Sequence, residues 1–131
     1  MWIPERAAGL SAVYGGSVPS LRKVVLHEVR IDCARGLLYL RVDLDEFPDR
    51  PPEKWRAAGF NAVQVKLQLA GVRALEIRGS VQGVPQECEM DVAEDDGLEF
   101  RLSSGSLLLT CTAEIAMIGG ISAYCDGARE G

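Results

Sequence analysis

A chain of 131 residues, 47% hydrophobic and 25% charged, can bury one core and lacks the composition of a disordered segment. Its net charge of −5 speaks against a nucleic-acid binder, because neutralising phosphates needs clustered Lys and Arg. No apolar run reads as a membrane span, and the first ten residues lack the basic start and apolar core of an export signal, so a cytoplasmic protein with no membrane partner is expected.

Residues 1–22 read as a helix and loop. "ERAAGLSAVY" predicts a short helix from Glu5 to Tyr14, stopped by Gly15 and Gly16 with Pro19 beyond. From Lys23 the hydrophobic period changes to two. "VVLHEVRID" reads as a strand with Val25, His27, Val29 and Ile31 on one side. After the turn "CARG", "LLYLRVDLD" places Leu38, Leu40, Val42 and Leu44 inward and Tyr39, Arg41, Asp43 and Asp45 outward. Pro48, Pro51 and Pro52 take the chain out of the sheet, and "PEKWRAAG" predicts one or two helical turns ending at Gly59. "NAVQVKLQLAG" and "VRALEIRGS" return as strands, with Val63, Val65, Leu67, Leu69, Leu75 and Ile77 inward. "QECEMDVAE", the turn "DDG" and "LEFRLS" form a hairpin with Phe100 and Leu102 inward, and "LLLTCT" and "AEIAMIGGISAY" are the last strands. Gly119 and Gly120 mark a bulge or bend, and residues 125–131 read as a loose tail. The pattern predicts a single antiparallel β-rich domain over residues 1–131, mostly β, with about eight strands and one or two short helices. Its sheet is a two-sheet sandwich or one strongly curved sheet.

No catalytic, cofactor or metal site is expected. His27 is the only histidine and no Cys-x-x-Cys pair occurs, so neither a nucleophile–histidine site nor zinc is indicated. The four cysteines are expected to stay reduced, with Cys88 and Cys111 acting as small core residues. No Gly-rich phosphate loop is present. Two acidic groups stand out. Glu87, Glu89 and Asp91 form an outward row on one strand, and Asp43, Asp45, Glu46 and Asp49 gather at the end of another. A solvated sheet face explains such rows, and a basic partner would relieve the repulsion within them. Trp55, between Lys54 and Arg56 on a proline-stiffened loop, is either a lid on the open end of the sheet or an interface anchor.

The order "VYGGSVPSL", "VVLHEVRID", "LYLRVDLDEFPDRPPEKW", "NAVQVKLQLAGVRALEIRG" and "ISAY" resembles the Immunity protein 50 family of bacterial polymorphic-toxin systems, from Tyr14 to Tyr124. The resemblance implies a small cytoplasmic, non-enzymatic protein that binds and neutralises a cognate toxin domain by steric occlusion, as in contact-dependent inhibition. The negative charge adds a basic toxin domain, such as a nuclease, as the partner, met by a monomer or weak homodimer. The residues assigned to that contact are Trp55, Asp43, Asp45, Glu46, Glu87, Glu89 and Asp91. Two other readings remain: a non-catalytic small-ligand-binding or scaffold β-module, and an enzyme built on a carboxylate pair.

Overall fold

The computed structural model describes residues 2–82 and 86–127. These residues form the strands β1 (Lys23–Asp32), β2 (Leu37–Leu44), β3 (Ala62–Ala70), β4 (Ala74–Gly79), β5 (Gln86–Glu94), β6 (Leu98–Ser103), β7 (Leu107–Ala113) and β8 (Ile115–Tyr124). Two short helices accompany them, α1 (Ala8–Val13) and α2 (Glu53–Ala58). The strands make one 8-stranded antiparallel sheet in the order β4-β7-β6-β5-β1-β2-β3-β8. The mostly β fold is as expected, and one continuous open sheet replaces the alternative of two separate sheets.

Two joints bend this sheet onto itself. At the first, β5 changes neighbours along its length: Gln86–Glu89 pair with β1, and Glu89–Glu94 pair with β6. At the second, β3 runs on into β4 while its partner β8 follows directly from β7, the partner of β4. The amides of Glu114 and Arg73 donate to the carbonyls of Ala70 and Thr112 at this crossing, at 3.0 and 2.9 Å. The inward faces of both halves therefore share one core, with Leu40, Val42, Val65 and Leu67 from one half and Phe100, Leu102 and Leu109 from the other. Burying each large aliphatic stabilises by roughly 1.5–3 kcal/mol.

Of the expected core residues, Leu38, Leu40, Val42, Val63, Val65, Leu67, Phe100 and Leu102 are buried, but Leu75 is only half-buried and Ile77 is 41% exposed. Both lie on β4, an edge strand with no neighbour on its outer side among the described residues. The faces of β1 also depart from simple alternation. Leu26 pairs with Val42 and Glu28 with Arg41, so His27 is an extra residue in a β-bulge. Val24 and Leu26 enter the core before the bulge, and Val29 lies opposite buried Leu40 after it. The predicted bulge at Gly119 is present, since Lys66 pairs with Gly120 and Leu67 with Ile118.

Helix α1 is shorter than expected because Glu5 does other work. Its amide donates to Ala116 O and its carbonyl accepts from Ile118 N, a parallel bridge on the outer edge of β8. Helix α2 follows Pro52 and ends at Gly59 in the left-handed region, φ 72°. In the predicted "DDG" turn, Asp96 and Gly97 both take positive φ, 52° and 112°. Residues 128–131 of the expected tail lie outside the described residues.

Candidate functional site

The outer face of β1, β2, β3 and β8 is where the acidic candidates separate into two kinds. Cross-strand partners share a face, so Val25, Asp43, Gln64 and Ser122 form one row across these four strands. Asp43 stands in the middle of it and is 1% exposed. A buried carboxylate needs partners. Asp43 Oδ1 accepts from Gln64 Nε2 at 3.2 Å, and Oδ2 accepts from the Tyr124 hydroxyl and lies 2.9 Å from His27 Nε2. The network continues outward, as Arg41 Nη1 donates to Gln64 Oε1 at 3.5 Å and Arg41 pairs with Glu28 at 3.9 Å.

Asp43 thus corrects the reading that placed it on a wet acidic surface. Its carboxylate is enclosed and ties four strands together. His27, read with Val29 and Ile31 on one side of β1, parts from them: it follows Val25 onto the Asp43 side by simple alternation, and the bulge is what turns Val29 back to the core side. Asp43 and its three direct partners, His27, Gln64 and Tyr124, come from four different strands, so no local motif announces the cluster.

The remaining acids are exposed, and tertiary structure brings three of them together. Asp45, just past the end of β2, lines a cavity of about 540 Å³ with Glu87 and Glu89 of β5. Lys23, Ser103, Ser104 and Gly105 complete its polar wall. Glu87 and Glu89 sit opposite Val25 and Lys23, so β1 is the floor between the two acidic elements. Glu46 is exposed beside Asp45, and its carbonyl accepts from the Tyr14 hydroxyl. Asp91 is exposed but lies outside this cavity, opposite Arg101 on β6.

Trp55 is half-buried on α2 and packs against the core. Its ring lies 6.4 Å from that of Phe47 at 44°. Phe47 follows Glu46 directly, so Trp55 stands where the Asp45–Glu46 segment leaves the sheet. This placement suits a lid and leaves the residue partly exposed.

A second acidic groove was not legible in the sequence. Glu94, Asp95 and Asp96 of the β5–β6 turn, Glu5, and Glu114 of the β7–β8 joint line a cavity of about 380 Å³ with Trp2, Ile3 and Ile115. Ile3 and Ile115 are 50% and 37% exposed. Glu5 reaches it because the N-terminal segment bridges to β8, and Glu114 because the β7–β8 joint lies beside the β5–β6 turn.

Cys88 and Cys111 are buried as expected. Burial pushes the Cys111 thiol from its ordinary 9.0 to about 11. It also raises Cys88, against the opposing effect of a backbone hydrogen bond with Leu26. Such thiols are poor nucleophiles. Among the described residues, no group of three His, Cys, Asp or Glu side chains could hold a metal ion, and no helix is long and apolar enough to cross a membrane.

Neither the curated proteins nor the solved structures yield a match to this chain. The family model described as Immunity protein 50 matches residues 7–124, which takes in every strand and both helices apart from the first bridge at Glu5. The chain belongs to the Immunity protein 50 family, and that membership points to toxin neutralisation through a protein partner.

Proposed function

We propose that this protein binds a cognate bacterial toxin domain in the cytoplasm and neutralises it by covering its working surface, without catalysis. The contact surface is centred on Asp45, Glu87 and Glu89, flanked by Glu46 and Asp91, with the exposed part of Trp55 as an apolar anchor. Asp43 acts only from beneath, holding β2 in place. The observation that carries the reading is the convergence of Asp45 with Glu87 and Glu89 around one cavity, on a chain of net charge −5. Family membership supports the protein partner.

A basic toxin domain is the partner this surface fits, and a nuclease is the plainest case. An enzyme that handles a polyanion presents clustered Lys and Arg, and a carboxylate-lined surface competes for them. Such charge complementarity raises the association rate more than it deepens affinity. The anchor governs dissociation, where a packed Trp contributes about 2 kcal/mol or more.

The test is co-expression with the product of the adjacent toxin gene, then surface plasmon resonance at low and high salt. The Asp45→Lys, Glu87→Lys, Glu89→Lys triple variant is expected to associate more slowly with a weaker salt dependence, and Trp55→Ala to dissociate faster. Reversal of Glu94, Asp95 and Asp96 is the comparison arm. If that variant loses binding while the triple variant keeps it, the contact lies at the second groove and the assignment is wrong. Failure of the wild type to co-purify would remove the toxin partner itself.

A further inference from the structure

The two edges of the sheet are not treated alike. The outer edge of β8 is bridged by Glu5, while the outer edge of β4 is unpaired among the described residues. Exposed sheet edges are templates for another strand, and folded proteins usually blunt them with Pro, Lys or a bulge. Ala74–Gly79, "ALEIRG", carries no Pro or Lys, and Ile77 at its centre is 41% exposed. Its two charges, Glu76 and Arg78, form an ion pair within the strand, so the edge has no net charge to repel a copy of itself.

We propose that β4 pairs antiparallel with β4 of a second copy, about a two-fold axis through Ile77. In this register Glu76 faces Arg78 of the second copy and Arg78 faces its Glu76. Ile77 lies against Ile77, and Leu75 against Gly79. Opposite charges directly across a ladder stabilise it and like charges oppose it. Moving the axis to Glu76 sets Glu76 against itself, and moving it to Arg78 sets Arg78 against itself. The charge pattern therefore selects the Ile77-centred pairing. A ladder this short buries less than the roughly 1,200 Å² of a stable interface, so the dimer is weak and forms with rising concentration. β4 is separated from β5 by two strands, which leaves Asp45, Glu87 and Glu89 outside this edge. The inference does not rest on the toxin reading, because it is tested on the isolated protein.

Sedimentation velocity from micromolar to millimolar concentration reads the association. The wild type is expected to shift from monomer toward dimer. Glu76→Arg and Arg78→Glu each place like charges across both sides of the axis and should weaken association about tenfold or more. Mixed together, the two variants should form a heterodimer, because each Arg then faces a Glu. The double variant Glu76→Arg, Arg78→Glu is again self-complementary and should associate as the wild type does. Circular dichroism of each variant checks that these exposed changes leave the fold intact. A wild type that stays monomeric to millimolar concentration overturns the proposal, as does a single variant that dimerises unchanged or a mixture that fails to associate. A monomeric wild type whose β4 variants lose toxin capture would give the edge to the toxin instead of a second copy.

Discussion

Asp43 and Glu87 are both acids at outward positions of strands, yet they face different physics. Asp43 is enclosed and accepts from side chains on β3 and β8 beside the His27 imidazole, whereas Glu87 is exposed opposite Val25. Removing the buried Asp43 carboxylate takes the shared acceptor from part-buried side chains on three other strands, which costs more than the hydrogen bonds contribute on balance. Asp43→Ala is expected to destabilise the protein by about 2–4 kcal/mol, measured by urea unfolding. Glu87→Ala should stay within about 0.5 kcal/mol of the wild type in the same measurement. Equal losses in the two variants would mean that the network carries no more weight than the surface.

At the scale of elements, bulges and turns decide which side chain faces where. The His27 bulge lets β1 serve the core with Val24 and Leu26 on one parity and with Val29 on the other. Gly79 does comparable work at the end of β4. Its φ is +104°, and a Cβ there would stand 1.9 Å from the Ser106 carbonyl oxygen. That carbonyl accepts from the Ser80 amide at 2.8 Å, so it cannot withdraw without losing a bond. Gly79→Ala is expected to destabilise by about 1–3 kcal/mol, read as a lower thermal midpoint. Gly105→Ala, where nothing lies within 4 Å, is the matched control with little effect expected. A Gly79→Ala protein as stable as that control would show that β4 ends more loosely than its geometry implies.

Across the whole molecule, the one core makes stability depend on pH through its thiols. Burial favours the neutral form of Cys111 in the folded state, raising its pKa from 9.0 to about 11, and shifts Cys88 in the same direction. A group whose folded pKa is raised contributes fully below its unfolded pKa and loses that contribution as pH rises through the folded one. Stability should therefore hold up to pH 9.0 and fall toward pH 11 on this account. Cys111→Ala should show a shallower alkaline decline in urea titrations, although its stability near neutrality is lower from the lost packing. An unchanged alkaline slope in that variant would assign the decline to other groups.

Much of this architecture follows from side-chain period. Alternation along β2, β3, β5 and β6 identified strands and their inward residues, because a half-buried strand repeats every two residues and burial imposes that repeat on the chain. Pro52 and Gly59 bounded α2 for an equally local reason, the fixed φ of one and the positive φ of the other. What the sequence left open are relations between segments that no local rule connects. The bulge at His27 breaks the period within one strand, and only pairing with β2 reveals it. The exposure of Ile77 depends on β4 standing at an edge, which is set by strand order. Asp43 reads like Asp45 two residues on, but the approach of His27, Gln64 and Tyr124 buries one, while β1, pairing with β2 on one side and β5 on the other, brings the other within reach of Glu87 and Glu89. A carboxylate's role as internal tie or as surface charge is decided by what surrounds it, and that neighbourhood exists only once distant strands have paired.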